Sequence, residues 1–410
     1  MSLIVQKFGG TSVGSVERIK HVANLLKETV ENGNQVVVVV SAMGKTTNQL
    51  VSLANEICEE PQKRDLDMLV TTGEQVTISL LSIALANIGV EAVSLTGWQA
   101  GIKAEEQFGN ARITSIDTKR ITENLEKGKI VIVAGFQGVT VNDEIVTLGR
   151  GGSDTSAVAL AAALKAEKCD IFTDVTGVFT TDPRIVGGAR KLPAISYDEM
   201  LELANLGAGV LHPRAVEFAK NYNITLEVRS SFKSEAGTIV MEGVEMERNL
   251  IVRGIAFEEE VSKITIHQLP NEKNALGNVF TVLANNGINV DIIIQNVNDQ
   301  DTTNLSFSTH ANEVNHAINI LKQYQEELGF TTITSETDLA KVSIVGSGMI
   351  SNHGVAAQMF RELASEGIFV KMVTTSEIKV STVIDREDME KAVHKLHDVF
   401  QLAEVVKTES

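Results

Sequence analysis

The chain has 410 residues, of which 43% are hydrophobic, so it can bury the cores of two or three domains. Its formal net charge is -17, and the acidic residues are spread along the sequence. This balance argues against a nucleic acid or an anionic membrane surface as a partner. Any anionic ligand must be bound by positively charged side chains gathered at its site.

Cysteine usage and hydropathy argue against a disulfide-bonded protein and against a membrane protein. Only two cysteines occur, Cys58 and Cys169, too few for a disulfide framework and without the spacing of metal ligands. No apolar run follows a basic start, and the most apolar run, Val36 to Val40, is too short to cross a bilayer. We therefore expect a cytoplasmic protein without a membrane segment.

The first 230 residues alternate short β-branched runs with helical patterns. The predicted strands are Leu3–Phe8, Gln35–Val40, Ala92–Leu95, Ile130–Val133 and Cys169–Thr173. The predicted helices are Ser15–Val30, Glu74–Asn87, Thr118–Lys127 and Ser153–Ala166. Several of these strands are too apolar to have a solvent face, so the alternation predicts a mostly parallel sheet with helices on both faces.

The second half of the chain contains an internal repeat, which follows a polar segment, 231–248, interpreted as a linker. Six residues recur 80 positions later: Phe280, Leu283, Ala284, Gly287, Ile288 and Val290 match Phe360, Leu363, Ala364, Gly367, Ile368 and Val370. The spacing predicts two small α/β domains. Such paired domains often sense a ligand, and a dimerisation module that binds nothing is the alternative.

Each copy of the repeat predicts five elements in the order strand, helix, strand, strand and helix. In the first copy these are Ser262–His267, Val279–Asn285, Asn289–Gln295, Asn304–Thr309 and Glu313–Glu327. In the second copy they are Lys341–Val345, Val355–Ser365, Phe369–Thr374, Ile378–Ile384 and Glu387–Phe400.

Two glycine-rich segments each follow an apolar run and open a helical pattern: Lys7-Phe8-Gly9-Gly10-Thr11-Ser12 and Gly149-Arg150-Gly151-Gly152-Ser153-Asp154. Glycines let backbone N–H groups approach an anion, and a helix N-terminus adds partial positive charge. The compact charge of Lys7 suits a moving phosphoryl group, whereas the fork of Arg150 suits a carboxylate. The two segments together predict one site for a phosphate and a carboxylate.

Further polar segments of the first half also follow predicted strands or open helices. Glu74 stands at the start of a helix, where capping and function are both open readings. The hydroxyl-rich loop 41–47 and the turn-rich segment 173–184 follow strands, where parallel-sheet proteins bind ligands. His394 and His397 have metal-ligand spacing but no third ligand nearby, so we predict no protein-held metal.

These motifs resemble those of the aspartate kinases of the amino-acid kinase superfamily, over nearly the full length of the chain. The resemblance rests on the two glycine-rich segments, Thr72-Gly73-Glu74, Thr173-Asp174 and Asp182-Pro183-Arg184, with residues 250–406 similar to tandem ACT regulatory domains. It implies a mostly parallel sheet sandwiched by helices, followed by two ferredoxin-like α/β domains. The implied boundaries are a catalytic domain over 1–230, a linker over 231–248 and ACT domains over 249–335 and 336–410.

The resemblance also implies a reaction. The γ-phosphoryl group of ATP would pass to the side-chain carboxylate of L-aspartate, giving 4-phospho-L-aspartate and ADP, the first step towards lysine, threonine and methionine. Lys7 would neutralise the moving phosphoryl group, Asp154 would orient Lys7, and phosphate oxygens would largely hold Mg²⁺.

By the same resemblance, three sets of binding residues are implied. The aspartate pocket would comprise Ser41, Thr47, Glu74, Arg150, Gly151, Gly152 and Ser153, with Arg150 and Ser153 on the α-carboxylate and Glu74 near the amine. ATP would be held by Lys7, Phe8, Gly9, Gly10, Thr173, Asp174, Phe179, Thr180, Asp182 and Arg184. Phe179 stands where many relatives have tyrosine. An amino-acid effector would bind Asn271, Asn274, Asn289, Asp291, Gln295, Met349 and Val355.

Lysine is the expected effector, with threonine as the alternative. It would inhibit by favouring a state in which the aspartate or ATP site is misformed. The resemblance implies a homodimer or larger oligomer. Some relatives make a separate regulatory subunit from an internal start, for which Met241 and Met246 are the candidates here. Because the chain ends at Ser410, a fused homoserine dehydrogenase is not expected.

Two other functions remain open from the residues alone. An amino-acid kinase for glutamate or an acylated amino acid is one, although an acylated substrate would present no ammonium to Glu74. A catalytically inactive amino-acid sensor is the other, and the presence of Lys7, Arg150 and Asp154 argues against it.

Overall fold

The computed structural model describes residues 2–207, 209–243, 251–297 and 301–403. By packing, the chain divides into two units. The first comprises Met1–Val178, Lys191–Asn205 and Gly209–Met246, and the second comprises Phe179–Arg190, Leu206–Ala208 and Glu247–Ser410. Two short stretches inside the predicted catalytic boundaries, 179–190 and 206–208, thus belong to the second unit.

The first unit combines twelve described strands with eight described helices. The strands are β1 (Leu3–Phe8), β2 (Gln35–Val40), β3 (Ala92–Leu95), β4 (Ile102–Ala104), β5 (Ile113–Ile116), β6 (Ile130–Ala134), β7 (Gln137–Val139), β8 (Ile145–Thr147), β9 (Lys168–Thr173), β10 (Ala194–Ser196), β11 (Leu226–Ser230) and β12 (Thr238–Met241). The helices are α1 (Val16–Glu31), α2 (Thr46–Ile57), α3 (Lys63–Val70), α4 (Thr72–Asn87), α5 (Lys119–Leu125), α6 (Gly152–Leu164), α7 (Tyr197–Asn205) and α8 (Pro213–Tyr222).

Eight strands form the main sheet of the first unit in the order β10-β12-β11-β9-β1-β2-β6-β3. Every neighbouring pair is parallel except β11 and β12. The five valines of β2 are all buried, as expected of a strand covered on both faces. The predicted mostly parallel sheet is confirmed, and its five predicted strands lie together at one end of the strand order.

Helices cover both faces of this sheet, as predicted. Side chains of α1 and α4 pack with Val36, Val38 and Val40 of β2 in one core, while α6 lies against β1, β2 and β9. The continuous stretch Lys63–Asn87, which covers α3 and α4, is by length and composition apolar enough to cross a membrane. Ile78 and Leu81 of this stretch are core residues of the first unit, and core helices of this kind share that composition.

A second, four-stranded sheet with the order β5-β4-β7-β8 is tied to α3 by the buried side chain of Asp67. Asp67 Oδ2 accepts from the N–H groups of Gly109 (2.8 Å) and Thr147 (2.9 Å), and Oδ1 accepts from the Thr147 hydroxyl (2.8 Å). Strand β8 leads directly into the segment 149–154, so these bonds fix the base of that loop.

The second unit contains one antiparallel sheet shared by both copies of the repeat. Its described strands are β13 (Gly254–Pro270), β14 (Ile293–Val297), β15 (Thr302–His310), β16 (Thr332–Val345), β17 (Met372–Thr375) and β18 (Lys379–Asp385), in the spatial order β14-β15-β13-β16-β18-β17. Its described α-helices are α9 (Ala275–Asn285), α10 (Val314–Gln323), α11 (Gln325–Leu328), α12 (Val355–Ser365) and α13 (Met389–Val399).

The two copies exchange strand ends across the centre of this sheet. The long strands β13 and β16 pair from Gly254 with Val345 to His267 with Thr332. As a result Ile255 packs in the core of the second copy, whereas Ile333 packs against the core of the first. The predicted boundaries 249–335 and 336–410 follow chain order, and the packing does not divide at residue 335.

Candidate functional site

An ion pair between Lys7 and Asp154 lies at the centre of the candidate site. Lys7 Nζ is 2.6 Å from Asp154 Oδ1, and each side chain is only 12% exposed. Lys7 is near the carboxyl end of β1, and Asp154 is in the first turn of α6. The ammonium therefore lies close to the positive end of a helix dipole, an arrangement that favours an anion.

The loop after β1 is closely packed and allows only glycine at one position. A Cβ on Gly10 would lie 2.9 Å from the carbonyl oxygen of Ala42, in the loop after β2. The Gly9 N–H donates to the Phe172 carbonyl at 3.2 Å, so this predicted phosphate donor is engaged within the protein. The Phe8 ring is buried and stacks on Phe172 at 4.5 Å, which leaves Phe8 only its backbone for a ligand.

Glu74 is a buried carboxylate with one oxygen bonded and one without a partner. Its Oε1 accepts from the Ala42 N–H at 3.0 Å, and Oε2 contacts no hydrogen-bond donor among the described residues. Burial raises the pKa of Glu74 to about 7. Glu74 lies in the first turn of α4 but bonds the loop after β2, and the N-cap residue Thr71 makes no side-chain capping bond.

Two predicted aspartate-binding residues follow β2. Ser41 N–H donates to the Phe8 carbonyl at 3.1 Å, which joins the loops after β1 and β2. Thr47 is half-buried in the first turn of α2. Because β1 and β2 are parallel, their following loops meet at the carboxyl edge of the sheet, where Glu74 also contacts Ala42.

The segment 149–154 combines an exposed cation, Arg150, with a buried residue, Ser153. Arg150 is exposed and forms no ion pair with any described residue. Ser153 is buried against Gly135, whose Cβ would lie 2.8 Å from Ser153 Oγ. Gly151 has a φ of 67°, in the left-handed region that glycine adopts readily.

Two residues at the start of α8 also contact this segment, and the sequence did not indicate them. A Cβ on Gly151 would lie 2.0 Å from His212 Cγ, so the imidazole ring rests directly on this glycine. Arg214 donates to the Leu148 carbonyl, just before the segment. Burial lowers the pKa of His212, while the negative charge of Asp154 opposes that shift. Proline at the first position of α8 was the available signal, and it indicates only a helix start.

The predicted ATP residues fall in both units. Thr173 ends β9 in the first unit and Asp174 follows it, with the Thr173 hydroxyl donating to Asp174 Oδ1 at 3.1 Å. In the second unit, Arg184 donates to Asp182 through Nη2 at 2.6 Å, and this bond holds the pKa of Asp182 below its usual value. Phe179 is half-buried.

Thr180 differs from the other predicted ATP residues of the second unit because it is fully buried. Its N–H donates to the Arg190 carbonyl at 2.9 Å, and its carbonyl accepts from the Ile255 N–H at 2.7 Å. Its hydroxyl lies 3.0 Å from His397 Nε2. The polar groups of Thr180 are thus occupied by the second unit itself.

Among the predicted effector residues, Asp291 already holds a primary ammonium. Lys341 Nζ lies 2.6 Å from Asp291 Oδ2 and 2.8 Å from Glu258 Oε2, with the Lys341 side chain 7% exposed. Burial alone would lower the pKa of Lys341, but the bonds to both carboxylates outweigh it and raise the pKa.

The remaining predicted effector residues are divided between the two copies. Asn271 donates its N–H to the Asp301 carbonyl at 2.8 Å, and Asn289 donates its N–H to Glu313 Oε2 at 3.3 Å. The others lie at the N-terminus of α9, in β14, in the 3₁₀ turn before α12 and at the first residue of α12: Asn274, Gln295, Met349 and Val355.

Comparisons with known proteins cover the whole chain. A family model described as "Amino acid kinase family" matches residues 2–230, and one described as "ACT domain" matches residues 342–400. The aspartokinase of Bacillus sp. (strain MGA3) is 66% identical over 410 residues, 100% of both chains. Aspartokinase 2 of Bacillus subtilis (strain 168) is 64% identical over 403 residues, 98% of each.

Solved structures of an aspartokinase also match this chain over nearly its full length. The structure of E. coli aspartokinase III in complex with aspartate and ADP is 27% identical, with a TM-score of 0.81 over 97% of this chain and 99% of that chain. The structure of the same enzyme in complex with lysine and aspartate has a TM-score of 0.74 over the same shares.

Proposed function

This chain belongs to the aspartokinases of the amino acid kinase family, and from that premise we propose that its Lys7–Asp154 pair drives phosphorylation of the L-aspartate side chain. The enzyme is an aspartate kinase with an ACT regulatory region. The proposed product is 4-phospho-L-aspartate, the first intermediate towards lysine, threonine and methionine. The observation that carries the proposal is the buried ammonium of Lys7 at the N-terminus of α6.

Phosphoryl transfer depends on positioning and charge neutralisation more than on covalent participation by the protein. Asp154 Oδ1 lies 2.6 Å from Lys7 Nζ and holds this ammonium in place, so that it is available to the transferring phosphoryl oxygens. With the Gly9 N–H bonded to Phe172, the N–H of Gly10 is the one of this glycine pair that remains to donate to a phosphate.

The residues of the site fit a metal that is held mainly by its substrate. No group of three or more His, Cys, Asp or Glu side chains within the described ranges is placed to bind a metal ion. Asp154 is engaged by Lys7. Mg²⁺ bound to the phosphate oxygens of ATP would supply additional charge neutralisation, and this chain would contribute Lys7 beside it.

Aspartate recognition is assigned to two opposite charges. Glu74 Oε2 is buried and has no described partner, which suits the α-ammonium of an amino acid. Arg150 is exposed with no described carboxylate partner, which suits the α-carboxylate. The complex of E. coli aspartokinase III with aspartate and ADP supports aspartate as the ligand.

The activity is tested by trapping the acyl phosphate with hydroxylamine while ADP release is followed. With ATP, Mg²⁺ and L-aspartate, we expect equal amounts of hydroxamate and ADP. N-acetyl-L-aspartate, which lacks the ammonium, should give less than about one hundredth of that rate, because a buried Glu74 would stay unpaired. Equal rates with both substrates would contradict the assignment of Glu74.

For regulation we propose that L-lysine is the feedback effector and that Asp291 receives its ammonium. E. coli aspartokinase III in complex with lysine supports the ligand, and the bond from Lys341 shows that Asp291 accepts a primary ammonium in this chain. The effector would have to displace Lys341 from this carboxylate. Threonine is the alternative.

Inhibition curves with L-lysine, L-threonine and both together distinguish the effectors. We expect Asp291→Asn to weaken lysine inhibition by about tenfold or more, in line with loss of a charge-assisted bond. Glu326→Gln, at an exposed carboxylate in the first turn of α11, is the matched control and should keep the original curve. Full lysine inhibition in Asp291→Asn would overturn this assignment.

Cellular location and assembly are part of the same proposal. The described cysteines are unpaired, which agrees with a reducing cytoplasm. A homodimer or larger oligomer is expected. Of the two internal start candidates for a regulatory subunit, Met241 ends β12 and Met246 lies outside the described residues.

A further inference from the structure

The N-terminus of α8 lies directly behind the segment that carries Arg150. The His212 ring packs on Gly151 so closely that a Cβ on that glycine would lie 2.0 Å from Cγ and 2.4 Å from Cδ2. Gly151 immediately follows Arg150 and precedes the first turn of α6. The position of the imidazole ring therefore limits how far this backbone can move away from the pocket.

Arg214 fixes the other end of the same segment. Its Nη1 donates to the Leu148 carbonyl and to Asn110 Oδ1 at 3.1 Å, and its Nη2 donates to the Ala111 carbonyl at 3.1 Å. A Cβ on Gly149 would lie 2.5 Å from Asn110 Oδ1, so this amide also packs on the segment. The Arg214 guanidinium thus joins Leu148, just before the segment, to residues 110 and 111.

Neither side chain belongs to the charge pair that handles the phosphoryl group. No hydrogen bond or ion pair to Lys7 or Asp154 is formed by His212 or Arg214 within the described residues. The two residues are connected to each other, because His212 Nδ1 accepts from the Arg214 N–H at 3.3 Å and so caps α8. His212 contacts Gly151 and Arg214 contacts Leu148, at the two ends of the segment 149–151, and these contacts set the two residues apart from a purely helical role.

We propose that His212 and Arg214 are positioning residues for aspartate recognition, which hold the segment 149–151 so that the Arg150 guanidinium meets the α-carboxylate of the substrate. The proposal rests on the assignment of Arg150 to that carboxylate. Binding residues carried on a loop need support from behind, and a displacement of about 1 Å can cost on the order of a hundredfold in rate.

The capping role and the positioning role of His212 can be separated by substitution. Asparagine is a good capping residue, so His212→Asn retains an acceptor for the start of α8 but removes the ring from Gly151. His310 caps the 3₁₀ turn Ala311–Glu313 through its side chain, so His310→Asn makes the same replacement at another capping histidine. For Arg214, replacement by lysine keeps the charge and loses the fork.

Steady-state kinetics of the full chain, with KM measured separately for aspartate and ATP, test the proposal. We expect His212→Asn and Arg214→Lys each to raise KM for aspartate by about tenfold while KM for ATP stays within about twofold, since only the carboxylate contact is misplaced. His310→Asn should leave both constants unchanged. Thermal unfolding midpoints of the variants identify any general loss of fold.

Two results would overturn the proposal. Unchanged KM for aspartate in both variants would show that the segment holds its position unaided. A parallel rise of both KM values together with a lowered unfolding midpoint would show a purely structural role. Arg150→Ala, measured alongside, separates this inference from its premise: unchanged KM for aspartate in that variant would refute the assignment of Arg150 itself.

Discussion

Glu74, the residue proposed to bind the substrate ammonium, is predicted to lower the stability of the ligand-free protein at neutral pH and above. Burial raises its pKa from 4.5 to about 7, because the charged form loses its solvation and the backbone N–H groups of Glu74 and Ala42 offset only part of that loss. The folded state therefore binds more protons than the unfolded state between these two pH values. Stability contributed by this group is greatest at low pH and falls as pH rises through the window from about 4.5 to 7.

Glu74→Gln should consequently stabilise the ligand-free protein at pH 8 while impairing catalysis. Glutamine can keep the bond from Ala42 without the cost of a buried charge, so we expect a gain of roughly 1–3 kcal/mol in unfolding free energy at pH 8. The gain should vanish near pH 4.5. Urea unfolding at both pH values measures it, and destabilisation at pH 8 would contradict this account.

The same carboxylate predicts how aspartate affinity depends on pH. Only the ionised form attracts the substrate ammonium, so KM for aspartate should rise as pH falls through about 7. In Glu74→Gln the KM should be high and nearly constant between pH 6 and pH 8. Initial rates over a range of aspartate concentrations at each pH give this profile. A pH-dependent KM that survives in Glu74→Gln would assign the titration to another group.

Residues of the site could be predicted where one short segment contains the signal. Lys7 and Asp154 each stand in a glycine-rich segment before a helix, and the structure brings them to 2.6 Å. His212 and Arg214 could not be predicted, because their contacts with Gly151 and Leu148 arise from the packing of α8 on α6. The burial of Glu74 and its bond to Ala42 likewise depend on tertiary structure.

At the scale of elements, Asp67 connects a helix to a sheet that supports the site. All three of its hydrogen bonds cross from α3 to the segments around Gly109 and β8. Backbone donors paired with a buried carboxylate are costly to leave unpaired. The segment 149–154 follows β8, so this connection also anchors the Arg150 loop.

Asp67→Ala should therefore lower the free energy of unfolding by about 2–4 kcal/mol, since it leaves the buried N–H and hydroxyl of Thr147 and the partly buried N–H of Gly109 without their acceptor. Asp65→Ala is the matched control on the same helix, where the side chain is 65% exposed, and should change stability by less than about 1 kcal/mol. Chemical denaturation of both variants provides the comparison. Equal effects would show that the buried bonds of Asp67 contribute nothing specific.

Element prediction succeeded where a pattern was long enough to show its period. The apolar strands β1, β2 and β3 have the predicted bounds, whereas β4, β7 and β8 have three residues each and show no alternation. The predicted strand Asn289–Gln295 begins only at Ile293, because the Ile292 N–H bonds the Ser308 hydroxyl in place of a regular ladder partner. Helix α2 was missed because none of its residues is fully buried.

At the scale of the whole molecule, the second unit joins its two copies through one sheet and one buried ammonium. Lys341 belongs to β16, Glu258 to β13, and Asp291 precedes β14 at one edge of the sheet. The repeat in the sequence predicted two small domains, and the long strands that unite them lie mostly outside the repeated pattern. A change at Asp291 can therefore reach the centre of the sheet through a single ion-pair network.

Lys341→Met tests whether this internal ammonium competes with the proposed effector. Without the competitor, more of the protein has Asp291 free, so we expect the Kd for L-lysine to fall by about tenfold. Lys371→Met removes another ammonium of the second unit, one paired with Asp385 at 2.8 Å, and should leave the Kd unchanged. Isothermal titration calorimetry measures both. A higher Kd for L-lysine in Lys341→Met would mean that Lys341 supports the effector site.

The measurement that tests the central claim most directly is hydroxamate formation from ATP, Mg²⁺ and L-aspartate by Lys7→Ala, compared with Lys20→Ala. Lys20 is an exposed lysine of α1 and serves as the matched control. We predict that kcat falls by about a hundredfold or more in Lys7→Ala and is unchanged in Lys20→Ala, as for loss of one donor to the transition state. An unchanged kcat in a folded Lys7→Ala variant would contradict the account.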